Sequence, residues 1–303
     1  MRAATTCEKT QWPLHCQGKR NVIRCREIHE DDVTQVVQLL TLGFSRRAYW
    51  VRAMQRMADH PTPDKFPKYG YVLDNEGTLV GVVLLISTAL MINGESRVRC
   101  NASSWYVMPE FRAFGSILSM RLLKHKQATI YNVSPAPNTW TILAKQGFVP
   151  FANGRCIAAP LLSRTSGMPI RVRQIAADEP AGADLAAYEI TILRDHQGYG
   201  CLSLICEFEG VRRPFVFGRQ RRYGFLPVAH LVYCRAFDEF VRFAGAIGHC
   251  LARHGYFAVI FDADGRVPEI ICKDYPGRPR FRKGGDQIRS GDVAYSEQVL
   301  FGY

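Results

Sequence analysis

Acidic residues are scarce in this 303-residue chain: 27 Asp and Glu stand against 39 Lys and Arg, a formal net charge of +12 at pH 7. That balance suits an anionic ligand, nucleic acid or an acidic surface. The basic residues are dispersed, with local clusters at Arg46-Arg47, Arg219 to Arg222 and Arg278 to Lys283, and a solvated basic surface is the simplest reading of each. Long apolar runs are missing too. The longest, Leu79 to Ile92, falls short of the ~20 residues that cross a bilayer and suits one or two buried strands. Met1 to Arg20 lacks the apolar centre of a secretory signal and is read as a frayed tail. Ten cysteines are present, but no Cys-x-x-Cys pair. Scattered on apolar segments, they read as small core residues of a reducing, cytoplasmic protein, with no disulfide framework and no metal site. His249 and His254 do not share a helix face and read as structural residues.

The composition is otherwise that of a globular chain long enough for two domains, at 47% hydrophobic and 22% charged residues. Its most informative stretch is Val107-Met-Pro-Glu-Phe-Arg-Ala-Phe-Gly-Ser-Ile117, which succeeds a strand-like run and opens a helix-like one. Pro109 ends the strand, because it cannot donate a ladder bond. A helix start with unpaired amides, a favourable dipole and a glycine is a place for a phosphate or diphosphate.

These residues carry a resemblance. Val-x-Pro-x-x-Arg-x-x-Gly is similar to the central motif of the GNAT superfamily, the acyl-CoA N-acyltransferases, whose pattern is Arg/Gln-x-x-Gly-x-Gly/Ala. Arg112 and Gly115 fit it, and Ile117 departs from the last small residue. The next segments of the chain also resemble the family: a helix to about Lys126, a strand Ala128 to Val133, a Pro-rich turn, a helix Asn138 to Gln146 with Asn138 as its N-cap, then Gly147-Phe148 as its left-handed stop. The resemblance implies that Tyr106, Val107, Met108, Arg112, Ala113, Phe114, Gly115, Ser116 and Ile117, with Asn138, hold coenzyme A, and that acetyl-CoA or another acyl-CoA is the co-substrate. It also implies that the strands Arg97 to Val107 and Ala128 to Val133 splay to admit pantetheine, and that Arg47, Tyr49 and Trp50 border the acceptor. Two departures leave proton handling unassigned. The Tyr that the family often places four residues before the Gly is Leu143, and the strand Arg97 to Val107 has no carboxylate. Ser103, Ser104, Tyr106, Tyr131 and Ser134 are the polar residues near the slot, and Tyr131 and Ser134 are the candidates for a catalytic role, with structural hydrogen bonding the simpler role for each. Backbone amides near Tyr106 to Met108 are the expected oxyanion donors.

The chain also repeats itself. Ile23-Arg-Cys-Arg-Glu-Ile-His-Glu-Asp-Asp32 recurs as Ile170-Arg-Val-Arg-Gln-Ile-Ala-Ala-Asp-Glu179, each an alternating strand ending in acidic residues placed to cap a helix. Three further matches occur in the same order, which argues for duplication of a whole unit. The expected organisation is a tail (1–19), a GNAT-like catalytic domain (20–162), a short link at Ser163 to Met168, and a degenerate GNAT-like copy (169–303). The fold class is mixed α/β (α+β), a mostly antiparallel sheet flanked by helices in each domain. The second copy has no Arg-x-x-Gly loop and places Asp238 and Glu239 where a diphosphate would sit. Tyr275 to Gly285 reads as a basic loop before a final strand near Val293 to Phe301.

The expected activity is direct transfer of an acyl group, acetyl first of all, to an amine or hydroxyl of a small molecule, sugar or peptide. A non-catalytic acyl-CoA-binding scaffold and a tRNA-dependent aminoacyl transferase are the alternatives. Nucleic acid is not the expected partner, and oligomerisation is left open. Coenzyme A should raise the thermal midpoint by binding the folded state, and Gly115→Glu should abolish that shift, as read by a thermal-shift assay.

Overall fold

A computed structural model describes residues 22–92, 94–163, 169–222 and 226–302. The expected tail (1–19) and most of the link (164–168) lie outside the described residues. The alternating run gives β1 (Ile23–Glu27). Two amphipathic helices come next, α1 (Val33–Phe44) and α2 (Arg47–Asp59); Trp50, Ala53, Met54 and Met57 are the buried stripe of α2, spaced one helical turn apart. β2 (Gly70–Asn75) turns through Glu76-Gly77, both at positive φ, into β3 (Thr78–Ile92) and β4 (Glu95–Val107). Then come α3 (Gly115–Leu122), β5 (Ala128–Asn132), α4 (Trp140–Lys145) and β6 (Val149–Ala158). The second half contributes β7 (Arg171–Gln174), α5 (Ala187–Gly198), β8 (Leu202–Phe208), β9 (Val211–Arg222), β10 (Leu226–Cys234), α6 (Phe237–Arg253), β11 (Val259–Asp262), β12 (Cys272–Lys283) and α7 (Glu297–Leu300).

All twelve strands join one mixed sheet, in the order β1-β2-β3-β4-β5-β12-β6-β11-β10-β9-β8-β7. Only β4–β5 and β10–β11 pair in parallel; the other neighbours are antiparallel. The order reads alike from either end, except that the last strand of each half has crossed over. β12 lies between β5 and β6, and β6 lies between β12 and β11. One face of the sheet carries a single apolar cluster fed by both halves, with Leu40, Met54, Leu193, Val232 and Leu300 among its members. The other face has separate clusters, one around Leu118 and Leu122 of α3 and one around Phe240, Phe243 and Ile247 of α6. Each such buried side chain contributes about 1.5–3 kcal/mol of transfer free energy.

The repeated motif has a physical reason. Arg26 grips Asp32 with two hydrogen bonds (2.6 and 2.8 Å) and reaches Asp74 on β2 at 2.8 Å. Arg173 grips Glu179 (2.7 and 2.9 Å) and reaches Glu207 on β8 at 2.7 Å. The acidic residue expected to cap a helix is in each copy a clamp on its own strand instead: Asp32 makes no side-chain cap bond on α1, and after Glu179 the next helix, α5, starts only at Ala187.

Three expectations need correction. Tyr275 to Gly285 is not a loop, since β12 runs through it to Lys283 and pairs with β5 and β6. The segment near Val293 to Phe301 ends in α7, not in a strand. The sequence reads as two strands, Gly147 to Ala152 and Arg155 to Leu162, where the structure has one: β6 passes straight through Gly154, where a Cβ would lie 2.9 Å from the Tyr275 carbonyl. Eight cysteines are described, all free, and His249 and His254 each bond a carbonyl one turn back on α6. Among the described residues no helix is long and apolar enough to cross a membrane.

A buried ion pair links β12 to β11 across the intervening β6. Arg280 of β12 and Asp262 of β11, each 0% exposed, are 2.6 Å apart, with the Gln298 side chain 3.3 Å from the guanidinium. Removing one charge leaves the other buried and uncompensated. Arg280→Ala should therefore cost about 3–5 kcal/mol, and Arg280→Met with Asp262→Leu should cost less than either single change, as read by urea denaturation.

Candidate active site

The site starts where the sheet comes apart. β4 and β5 pair from Val98↔Ala128 to Asn101↔Tyr131 and no further. Beyond that point β4 stays with β3, and Asn132 of β5 pairs with Phe281 of β12. β4 also carries a bulge: Ser103 opposes Leu84 and Tyr106 opposes Val82, so Ser104 and Trp105 together face Val83, with Ser104 at φ 54°. A bulge of this kind re-aims side chains and frees backbone groups from the ladder. The expected splaying of these two strands is present.

Two cavities meet at the divergence. A narrow one of about 20 Å³, room for one water, lies against α3 and α4, where Gln146 Nε2 donates to Ser119 Oγ at 2.7 Å. The other is a cleft of about 780 Å³. Tyr49 and Trp50 of α2 form one wall, and Phe301 packs edge-on against both at 6.4 and 6.2 Å between ring centroids. The turn Ser134 to Pro137 and the tip Gly277 to Pro279 form the others. Ser103, Trp105 and Asn132 line both cavities.

At the bottom of the cleft lies a carboxylate that the sequence reading missed. Glu297, the first residue of α7, is 8% exposed. Its backbone N–H donates to Asn101 Oδ1 at 2.7 Å, and Asn101 in turn donates to the Tyr131 carbonyl at 3.3 Å. That chain ties the carboxylate to the last paired residues of the diverging strands. The Ser134 hydroxyl bonds Glu297 Oε1, and Oε2 has no hydrogen-bond partner among the described residues. Burial pushes the carboxyl up to about 7, against the hydrogen bond from Ser134 and the pull of Arg280 and Arg155. Nothing local in Tyr295-Ser-Glu-Gln298 announces this role. Only the Ser-Glu pair before an apolar run marks a helix start.

The sequence-predicted residues divide. Ser134 is in the cleft, on Glu297. Tyr131 is not: it is 2% exposed, its hydroxyl donates to the Ala294 carbonyl at 2.9 Å, and burial pushes its ionisation far above the ordinary range. It pins the C-terminal segment to β5. Tyr49 and Trp50 line the cleft as expected, whereas Arg47 faces a separate groove with Val51 and Gln55. Arg46 is the arginine at the start of α2 that lines the cleft.

None of Tyr106 to Ile117 lines either cavity. Tyr106 packs edge-on to Phe44 at 6.0 Å. The amides after Pro109 are not unpaired, because Pro109–Phe114 is a 3₁₀ helix with Phe111 N–H on the Met108 carbonyl at 2.9 Å. Gly115 N–H bonds the Arg112 carbonyl, and Met108 N–H donates to Val80, also at 2.9 Å. Val107 closes β4; Arg112, Ala113 and Ser116 lie toward solvent; Phe114 and Ile117 are half-buried against the α3 core. Gly115 has φ −56°, and an added Cβ would meet nothing closer than 3.6 Å, so alanine would fit there. Asn138 lies inside a 3₁₀ turn, and the residue capping α4 is Thr139. Gly147 does stop that helix, at φ 81°.

The second half has the corresponding divergence, and there it is filled. β10 and β11 pair only at Ala229↔Val259 and His230↔Ile260. Beyond them the freed edge of β10 is taken by the chain itself: Cys234 N–H donates to Gly291 at 2.7 Å and Val293 N–H to Val232 at 2.9 Å. At the start of α6, Glu239 is ion-paired with Arg213 at 3.0 Å. Among the described residues no group of three or more His, Cys, Asp and Glu is placed to hold a metal ion.

Solved structures share this architecture. A GCN5-related N-acetyltransferase from Anabaena variabilis aligns over 86% of this chain and 72% of its own, with 10% identity and a TM-score of 0.55. One from Kribbella flavida aligns over 86% and 70%, with 13% identity and a TM-score of 0.52. The glucosamine N-acetyltransferase region of a fungal multi-domain β-N-acetylglucosaminidase aligns over 88% of this chain and 38% of that one, with 11% identity and a TM-score of 0.55. No family model matches the chain, and no curated protein does. At such identities the likeness is one of fold, and the chain has the GCN5-related N-acetyltransferase fold.

Glu297 should leave a signature in stability. Its folded value lies above the ordinary one, so the folded state holds a proton between pH 4.5 and about 7 that the unfolded chain has lost. Its contribution is greatest at low pH and falls across that window by about 1.4 kcal/mol per pH unit. His60 and His196, lowered by burial to about 4, act in the opposite sense, so stability from them rises with pH up to about 6.5. The difference between wild type and Glu297→Gln in urea denaturation from pH 4.5 to 7.5 isolates the carboxylate, and it should shift in favour of the variant as pH rises.

Proposed function

We propose that this protein is an acyl-CoA-dependent acyltransferase that acylates an amine, with acetyl-CoA the simplest donor. The observation that carries this reading is the Glu297 carboxyl, with one oxygen unpartnered, in the cleft opened by the divergence of β4 and β5. The fold supports the reaction class, and the cleft supports the geometry: a thioester held beside the bulge of β4 would face an acceptor resting on Tyr49 and Trp50.

Each step draws on a group already in place. The acceptor amine, freed of a proton by Glu297 Oε2, attacks the thioester carbonyl and forms the C–N bond. The oxyanion that develops needs N–H donors, and the bulge residues Ser104 and Trp105 are the candidates, since the Met108 amide is already engaged on Val80. The C–S bond then breaks, the carbonyl re-forms, and coenzyme A departs as a thiolate, whose conjugate acid near pKa ~8.5 needs no dedicated acid to leave. The proton on Glu297 passes to solvent. With the amides of the turn before α3 already bonded, the diphosphate would rest on the solvent-facing Arg112 and the dipole at the start of α3. Residues 20–162 and 169–303 are, in this reading, products of a duplication in which only the first copy kept an open slot.

Glu297→Gln should lower kcat/KM for acyl transfer by roughly 10²–10⁴-fold while keeping the thermal stabilisation by coenzyme A. In wild type kcat/KM should rise with pH to a plateau with a midpoint near 7, and the variant should lose that limb. Because Gly115 is buried, Arg112→Glu is the cleaner probe of the diphosphate: it should weaken the coenzyme A shift without loss of fold. A thiol-release assay and a thermal-shift titration read both.

A further inference from the structure

The charges that line the cleft are unequal. Its one acidic side chain among the described residues is Glu297, while three guanidinium groups line the same space: Arg46, Arg155 and Arg278. Five arginines elsewhere, Arg26, Arg99, Arg173, Arg212 and Arg235, each hold a carboxylate within 3.0 Å. Those of the cleft do not. Arg155 reaches Asp262 only at 3.7 Å, and Asp262 is already engaged by Arg280 at 2.6 Å. Among the described residues neither Arg46 nor Arg278 has an ion-pair partner. Arg46 rests on a ring face alone, 4.8 Å above the centre of Tyr49.

Arg46 is also held there at a cost. Ser45 (φ 60°, ψ −163°) and Arg46 (φ 60°, ψ 53°) both adopt positive φ, which side chains other than glycine rarely take. Such residues cost on the order of 1–3 kcal/mol each and persist only where the surroundings enforce them. Here the Trp50 indole N–H donates to the Ser45 carbonyl at 2.9 Å and fixes the turn against the cleft wall. Arg278 lines the same cleft from the tip of β12, next to Gly277 at φ 79°.

These guanidinium groups are not where the diphosphate is expected. No residue of the Val107 to Ile117 segment lines the cleft, so the cleft arginines serve something else in it. A guanidinium is a fork matched to carboxylate and phosphate oxygens. The cleft volume, about 780 Å³, is in the range of small-ligand sites. A small acceptor with its amine at Glu297 would therefore bring the rest of its body against Tyr49 and Trp50 and its far end to the arginines.

Resting on the acyltransferase reading above, we infer that the acceptor is a small zwitterion: a primary amine that also carries a carboxylate or a phosphate-type anion, the amine seated at Glu297 and the anion at Arg46 and Arg278. The cleft selects its substrate by the Glu297 carboxyl and the guanidinium groups of Arg46 and Arg278 that line it.

The test uses the full chain with acetyl-CoA and matched acceptors: the L-amino acids, the carboxamide of each, and the corresponding aminophosphonates, with release of free thiol as the readout. The expected result is that at least one acid is preferred over its own amide by tenfold or more in kcat/KM. The carboxylate and phosphonate arms then tell which anion is taken. In the Arg46→Glu, Arg278→Glu double variant that preference should vanish or invert, mainly through KM, while stabilisation by coenzyme A is kept and shows that the fold is intact. A panel in which no acid surpasses its amide, including one in which none is accepted, overturns the inference, and so does a double variant with an unchanged preference. Failure of coenzyme A to stabilise the wild-type chain is a different result, and it removes the acyltransferase reading itself.

Discussion

Two parallel strands that part company leave two rows of backbone N–H and C=O groups without partners, and this fold contains two such partings. A buried backbone group without a hydrogen bond costs free energy comparable to the bond itself, so each parting must be answered. Between β10 and β11 the answer is internal: Gly291 to Val293 takes the free edge of β10. Between β4 and β5 the edge is left to a cleft and a bulge. The difference in fate between the two halves stems from that single asymmetry. Where chain already occupies the edge there is no slot for a ligand arm, whatever residues surround it.

The same segment that seals one parting furnishes the other. A few residues after Val293, it is pinned to β5 by the Tyr131 hydroxyl on the Ala294 carbonyl and to α5 by Tyr295, whose N–H meets His196 and whose hydroxyl meets Asp195 at 2.6 Å. Anchored at those points, it delivers Glu297 into an environment too dry for an ordinary carboxylate. Burial raises the proton affinity, while Arg280 and Arg155 keep the rise from going further. The balance sets a group that exchanges a proton near neutrality, as general base chemistry requires. The buried Arg280–Asp262 pair thus bears on the site from behind, through Gln298 and through charge.

Much of the first half could be read from the sequence because its signals are local. The alternation of Ile23 to Glu27 and the left-handed stop at Gly147 each act over a few residues. The splaying of Arg97 to Val107 from Ala128 to Val133 is legible through resemblance, and Ser134, Tyr49 and Trp50 line the cleft beside it. The failures share one cause, which is that the deciding partner is distant in sequence. Tyr275-Pro-Gly-Arg-Pro-Arg-Phe-Arg-Lys has the composition of a loop, and it is a strand because β5 and β6 offer it two edges. Arg280 looks like one more surface charge until Asp262 buries it. Glu297 bonds Ser134 across the chain, and no pattern near either residue links them. The segment after Pro109 failed differently: its Pro and Gly read as an open loop, yet its short-range 3₁₀ bonds satisfy the amides that openness would have left free.

The crossing of β12 and β6 has a further consequence, for how the chain holds together. Each terminal strand lies in the other half's portion of the sheet: β12 pairs with β5 and β6, and β6 pairs with β11. The two halves are therefore laced by backbone hydrogen bonds along three strand edges, in addition to the segment that connects them in sequence.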